Sequence, residues 1–505
     1  MEGRGIVHFG GVRCAITCPS DLDECEDLEY YEPGGFHPVH LGDVYDNRYR
    51  VVYKLFFGGF STVWLARDTL VNRWVALKIV IATESSTYNT RSVIAGHPGV
   101  VLPTPPARHI TESESSLAGS SDLFITVDRQ FWIDGPNGRH LCLVYPALGP
   151  DLSRLSRGIY SRLKPDFARQ LSLQAAQALV QLHSNGLCHG DFTASNILLR
   201  LTDEFDSYEE DDLLTLFRPP QTAPLQTYSG KPPRPHGPDY IVEALNFCSS
   251  SATVNVLSSK ICVIDFDQSF TTTSPPQELP GIPAKYLAPE VAVGLSPSPA
   301  SDVWALGCAI FRIRTGDDIF FDYDTNCPAD ALREIAKAMG PLSEEWKQTR
   351  FSEDGLPVTD PNDTTEAKAQ PEEFEILVDS RPLANRVRDI IDEPAGLFIN
   401  TQGEEEPEPE HKAYVHYSSF IKTDGPNKPY AASLRSMLWK PTAVCMAGNY
   451  FAAYCDLTDV LLKSFPRMAE PEASVLIDLL SKIFTYDPAA RPKAKDLLTH
   501  PWFHI

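Results

Sequence analysis

Positive charge is scarce in this chain. Its 44 lysines and arginines face 67 aspartates and glutamates, a formal net charge of −23 over 505 residues. There is no basic arm to neutralise a phosphate backbone, which excludes direct nucleic-acid binding as the expected role. No pair of the 11 cysteines has C-x-x-C spacing. Their scatter argues against a zinc site or a disulfide framework and fits small buried thiols of a reducing compartment. No uninterrupted apolar stretch approaches the ~20 residues of a membrane helix. Met1 to Gly10 also lacks the charged-then-apolar pattern of a secretory leader. A protein of the cytoplasm and/or nucleus with no membrane partner is expected.

The material for a large core is there: 43% of residues are hydrophobic and 10% aromatic. The 42 prolines exceed the usual share and predict long irregular insertions. Residues 1–36, acidic from Asp21 to Glu32, read as an N-terminal tail. Tyr49 to Leu55, Thr62 to Ala66, Trp74 to Val80 and Leu141 to Tyr145 are short β-branched and aromatic runs and predict strands. Gly96 to Ser121 dissolves into Pro, Ser, Thr and Glu and reads as a loop. The period then changes. Phe167, Leu171, Ala175, Ala178, Leu179 and Leu182 share one face of a predicted helix, opened by Pro165-Asp166 and closed by Asn185-Gly186. Strands first and helices after imply two segregated halves. Arg200 to Ser259 and Pro341 to about Pro441 read as insertions, and the second carries the acidic run Glu404 to Glu410, expected to be solvated.

Four short segments carry chemistry. Leu55-Phe56-Phe57-Gly58-Gly59-Phe60-Ser61-Thr62-Val63 joins two strands through small residues that let backbone N–H groups approach phosphate oxygens; an ordinary Gly-Gly hairpin has the same composition. Lys78, in Val75-Ala76-Leu77-Lys78, lies inside an apolar strand, where an ammonium needs an anionic partner or a route to the surface. His189 to Leu199 follows the helix. Its Asp191 can accept a hydroxyl proton and its Asn196 can hold a magnesium ion, although an Asx turn would use the same residues. Ile261 to Asp265 is an apolar strand ending in a carboxylate, where a hard cation or a turn would be equally at home. Each segment is ambiguous by itself. Together, in this order and flanked by strands and helices of the right kind, they point to one fold, the kind that holds a nucleotide for phosphoryl transfer.

With these residues the sequence resembles the eukaryotic protein kinases from about His37 to Phe503. Ala288-Pro289-Glu290, Asp302 to Gly307 as the buried helix of the large lobe, Arg491 as the arginine that pairs with Glu290, and His500-Pro501-Trp502-Phe503 extend the likeness. It is most similar to the SR-protein-specific kinases and their fungal relatives, on Tyr31 to Asp43, Phe60 to Asp68 and Gly135 to His140. The resemblance implies an α+β, bilobal protein-kinase fold, with a β-rich small lobe over 37–147 and a mainly helical large lobe over 148–505, interrupted at about 200–259 and 341–441. It implies ATP- and Mg2+-dependent phosphorylation of protein serines, including Arg/Ser-rich tracts of splicing-type proteins. Asp191 would be the catalytic base, Asn196 and Asp265 the metal ligands, and Lys78 the phosphate anchor. Leu55, Val63, Ala76 and Leu198 would sandwich adenine. Tyr145 would be the gatekeeper, Pro146 would offer a hinge carbonyl and Leu148 a hinge N–H. Phe56 to Thr62 would form the loop over the nucleotide.

The departures are as specific as the matches. Phe56 replaces the loop's first glycine, Gly190 the arginine before the catalytic aspartate, Thr193 the lysine that touches the γ-phosphate, and Asp267 the glycine after Phe266. Without the arginine, activity is expected not to depend on a phosphorylated activation segment. The arginine that tyrosine kinases place after the aspartate is absent too, which disfavours tyrosine specificity. No glutamate stands out to pair with Lys78: Glu84 is too near, and Glu112 and Glu114 follow four prolines. A pseudokinase scaffold that binds partners through the same fold is the alternative.

Overall fold

The structure is a computed structural model. It describes residues 25–91, 127–156, 162–227, 229–247, 256–277, 281–322, 325–358, 382–392 and 466–505, and short pieces at 7–9, 22, 123–125, 279, 368–369, 397–399, 405–407 and 437–439. Two compact units form, 1–150 with 199–258 and 151–198 with 259–505.

The first unit is built on an antiparallel six-stranded sheet, with strands β1 (Val44–Tyr45), β2 (Tyr49–Phe57), β3 (Ser61–Asp68), β4 (Arg73–Val80), β5 (Arg129–Gly135) and β6 (Gly138–Pro146) in the order β1-β2-β3-β4-β6-β5. All four predicted strands are present, each a little longer than its apolar run. Val75, Leu77 and Ile79 of β4 pack on one face with Trp64, Ala66, Cys142 and Val144. Val80 packs on the other face with Leu141 and Leu143, and Trp132 and Tyr145 lie against them. The two-residue alternation of a strand thus puts Lys78 on the second face. Helix α1 (Ala82–Arg91) follows β4 directly and carries Glu84 in its first turn. Glu112, Glu114 and the whole of the predicted loop, Gly96 to Ser121, lie outside the described residues.

The acidic N-terminal stretch packs into this unit. Leu22, Cys25, Leu28, Tyr31 and Phe36 form a buried cluster with Ile81, Ala223, Leu225 and Ile241. Glu26, 1% exposed, pairs with the fully buried ammonium of Lys54 and accepts a 2.5 Å hydrogen bond from the Tyr31 hydroxyl. The Lys54 ammonium also sits 5.3 Å from the Phe57 ring and 5.5 Å from the Trp64 ring. Such a charge is tolerated in a core because every side of it is answered.

The stretch 199–258 is likewise ordered where it is described. It supplies a helix (Glu210–Phe217) and two antiparallel strands (Thr222–Thr227 and Tyr240–Val242), the first of which pairs in parallel with Val7–Phe9. The Tyr53 hydroxyl donates to the carbonyl of Arg218 at 2.7 Å. The Trp74 backbone N–H donates to the Asp206 carboxylate and its indole N–H to the Tyr208 carbonyl, both at 2.9 Å.

The second unit is helical. Helix α2 (Pro165–Ser184) starts with proline at its first turn and buries Phe167, Leu171, Ala175, Ala178, Leu179 and Leu182, the predicted face. Helix α3 (Pro299–Thr315) is capped by Ser298 and buried almost throughout. A Cβ on Gly307 of α3 would stand 2.9 Å from the Phe484 ring, just past helix α5 (Glu470–Ile483), so only glycine allows this approach. Trp304 stacks on Phe320 at 5.2 Å and meets the edge of Phe484 at 4.9 Å. Helix α4 (Pro328–Met339) completes the set used below. Of the acidic run, Glu405–Pro407 pairs with Leu397–Ile399; its other residues lie outside the described ones. The six described cysteines are free thiols, five of them buried. No helix among the described residues is long and apolar enough to cross a membrane.

Candidate active site

In the first unit, hydrogen-bonded pairing aligns Phe56 with Val63, Val63 with Lys78, and Lys78 with Leu143. Leu65, Ala76 and Tyr145 make the next row on the same face. The strand pairing therefore gathers Val63, Ala76, Lys78 and Tyr145 on one surface. Gly58, whose N–H donates to the Ser61 carbonyl at 2.9 Å, closes the hairpin between β2 and β3. Gly59 and Phe60 are exposed at its tip, while Ser61 and Thr62 are buried. Pro146 ends β6 half-buried, and Leu148 just beyond it is buried.

The second unit holds the remaining candidates, with Leu198 half-buried at the end of the same loop. Asp302, 3% exposed in the first turn of α3, anchors the loop. Its carboxylate accepts the backbone N–H groups of His189 at 2.8 Å and Gly190 at 3.0 Å, and lies 3.0 Å from His183 Nε2. His189 is fully buried, its Nε2 3.1 Å from the Ile264 carbonyl and its ring between Phe192 and Phe266. The loop then presents Asp191. Asn196 Nδ2 donates to both the Asp191 carbonyl (2.9 Å) and its Oδ2 (2.8 Å). Asp191 Oδ1 is buried with no hydrogen-bond partner among the described residues. Burial pushes the Asp191 carboxyl up to about 7; the Asn196 hydrogen bond opposes the rise, and the charges of Asp265 and Asp302 add to it.

Asp265 follows the strand Leu257–Val263 and is half-buried with φ of 64°, a left-handed conformation uncommon for a side chain other than glycine. Asp267, in glycine's place, is not among the positive-φ residues, so no left-handed strain falls there. Asn196 accepts the Ile264 N–H through its carbonyl at 3.0 Å, which fixes the strand end to the loop. Asn196 and Asp265 offer oxygen donors beside a carboxylate that the Asp265 charge already disturbs, a set that fits a hard divalent cation.

Two departures acquire physical reasons. Gly190 has φ of 80°, and a Cβ there would collide with the Gln268 carbonyl oxygen, so no arginine fits the position. Thr193 is 3% exposed; its N–H donates to the Asp191 carbonyl and its carbonyl accepts from Asn196 N–H, both at 3.0 Å. It serves the turn. Glu290 and Arg491 form a buried two-pronged ion pair, at 2.8 and 3.0 Å, with the guanidinium 5.1 Å from the Trp304 ring. Sequence reasoning placed Asp302 on a buried helix without giving it a role. The signal was an acid at the head of the apolar run Val303 to Phe311, which has to be satisfied by partners.

Comparison with known proteins agrees with this geometry. The protein kinase domain family matches residues 252–503. Serine/threonine-protein kinase spk-1 of Caenorhabditis elegans is 35% identical over 187 residues, 37% of this chain and 18% of that protein. Serine/threonine-protein kinase SRPK of Physarum polycephalum is 29% identical over 332 residues, 59% of this chain and 68% of that one. Human SRSF protein kinase 3 is 34% identical over 188 residues, 37% of this chain and 31% of that one. The match spans under a fifth of the length of the nematode kinase. The chain carries a protein kinase domain, and it is similar to serine/threonine-protein kinases of the SRPK kind.

Proposed function

We propose that this chain is an active ATP- and Mg2+-dependent kinase that phosphorylates serines in Arg/Ser-rich proteins. The observation that carries the reading is the state of Asp191. One oxygen is held by Asn196, the other is buried without a partner among the described residues, and the carboxyl is poised near neutral pH. That is how a general base for a hydroxyl proton is prepared. Lys78 would hold the α/β-phosphates, Val63, Ala76, Leu55 and Leu198 the adenine, and Pro146 and Leu148 the hinge hydrogen bonds. Asn196 and Asp265 would hold the metal, which supplies neutralisation of phosphate charge when bound. Asp191 would align the acceptor hydroxyl and take its proton. The net charge of −23 suits basic substrates, and one relative is named as a kinase of SRSF proteins.

The test is transfer of the ATP γ-phosphate to an Arg/Ser peptide, with and without Mg2+, by the full chain and by Asp191→Asn. Transfer that vanishes in the variant, with nucleotide binding kept, supports the reading. Buried, uncharged Thr193 in lysine's place favours a scaffold instead. Nucleotide binding with no transfer by either protein would establish that second reading.

A further inference from the structure

We propose that His183, Cys188 and Asp302 form a binding site for a thiophilic divalent cation of the Zn2+ class, separate from the Asn196 and Asp265 oxygens proposed for magnesium.

The juxtaposition of three elements carries the argument. His183 lies in the last turn of α2, Cys188 in the short strand Leu187–Cys188, and Asp302 in the first turn of α3. A nitrogen, a sulfur and a carboxylate oxygen from them lie within 4.8 Å of one another, the one such group of three among the described residues. The closest printed pair, His183 Nε2 and Asp302 Oδ2, is 3.0 Å apart. Metal bonds of about 2.0–2.3 Å put tetrahedral ligand atoms about 3.3–3.6 Å apart, a spacing that this trio brackets. The scatter of the cysteines argues against a site built on cysteine pairs. One thiolate beside an imidazole and a carboxylate needs no pair.

Charge decides which cation fits. Cys188 is fully buried and Asp302 is 3% exposed. Burial pushes the Cys188 thiol up and the Asp302 charge adds to the rise, so a thiolate persists there only with a cation against it. A divalent cation on one thiolate and one carboxylate makes a neutral unit, the form in which a core accepts charge. Sulfur and nitrogen ligands select zinc over magnesium or calcium. On binding, bonds from the metal to sulfur, nitrogen and oxygen form, the thiol proton leaves to solvent, and the Nε2 proton that faces Asp302 passes to Nδ1. Asp302 keeps the backbone N–H groups of His189 and Gly190, which orient its carboxylate as outer partners do at metal centres. The His183 side chain is 14% exposed, which leaves an entry path and room for water as the fourth ligand.

The experiment is titration of the full chain, stripped with a chelator and kept reduced, with Co2+ and with Zn2+. Wild type, Cys188→Ala and His183→Gln are compared, with circular dichroism to confirm folding. Wild type is expected to develop a thiolate-to-cobalt charge-transfer band that Zn2+ displaces and Mg2+ does not. Cys188→Ala is expected to lose that band, and both variants to bind Zn2+ about tenfold more weakly or worse in calorimetry. A wild type without the band, or a Cys188→Ala variant that keeps either the band or the full Zn2+ affinity, overturns the inference. Should Cys188→Ala not fold, His183→Gln decides alone: full Zn2+ affinity in that variant also overturns it.

Discussion

The ammonium of Lys54 and the carboxylate of Glu26 pair inside the first unit, 28 residues apart in sequence and both shut off from water. Removing one partner strands the other charge in the core. Lys54→Met or Glu26→Gln is expected to cost about 3–5 kcal/mol in urea unfolding, whereas the double change Glu26→Leu/Lys54→Met should recover most of it. A double-variant loss equal to the sum of the two single losses would show the pair to be uncoupled.

The Asp191 carboxyl, raised to about 7, makes two signs testable. A carboxyl whose folded pKa lies above its unfolded value stabilises the fold while protonated. That contribution is present at low pH and is lost as pH rises from about 4 through about 7. Asp191→Asn should therefore raise the unfolding midpoint of the nucleotide-free protein at pH 8, by at most about 4 kcal/mol, while abolishing transfer. An unchanged midpoint would mean that the carboxylate is already relieved of its burial.

Gly190 and Gln268 constrain regulation. Gly190→Ala faces both a positive φ and the Gln268 carbonyl, and is expected to lose about 1–3 kcal/mol of stability together with most transfer. Replacing Thr271, Thr272, Thr273 and Ser274 by alanine should leave the rate within a few-fold, about 1 kcal/mol or less. Alanine removes a long hydroxyl contact from Thr273 to Thr271 at 3.5 Å but keeps the backbone contacts, Thr272 N–H to the Gly186 carbonyl at 2.8 Å and the Leu187–Thr271 pairing. A hundredfold loss in the quadruple variant, with folding intact, would establish a phosphate-dependent segment.

His37 supplies a pH signature for the first unit. Burial pulls its pKa down from 6.5 to about 4; neighbouring His140 and His40 deepen the fall, and the Asp43 carboxylate opposes it. The unfolded chain takes up the proton first, so stability should rise with pH between about 4 and 6.5, by at most about 3 kcal/mol. His37→Phe should flatten that slope in denaturant midpoints measured at pH 5 and pH 7. A slope identical to wild type would assign the dependence to other groups.

What was legible in the sequence was local. The stripe from Phe167 to Leu182 specified α2, and the apolar run from Trp74 to Val80 specified a strand that carries Lys78, because each signal lies within one continuous segment. Glu290 and Arg491 were paired through family likeness, and they do pair. Glu26 was illegible: an acidic run reads as solvated until Lys54 and Tyr31 are known to sit around it. The register shift between Lys54 and Phe56, which pairs Phe56 with Val63, was equally hidden, since it shows only once the two strands are aligned.

The bonds from Tyr53 to Leu213 and from Trp74 to Tyr208 span 160 and 134 residues. Between their ends the chain makes α2 and the whole Asp191 loop, which belong to the other unit. On a ribosome, then, β2 to β6 emerge well before the segment that covers Tyr53 and Trp74 has been synthesised. The sheet must wait, its edges and aromatic face bare, while a piece of the second unit is threaded out ahead of its own completion. Contacts of such long loop closure form slowly. Nascent chains stalled before residue 240 should accordingly be protease-sensitive and bind chaperones, and resistance should appear only after that point has cleared the exit tunnel.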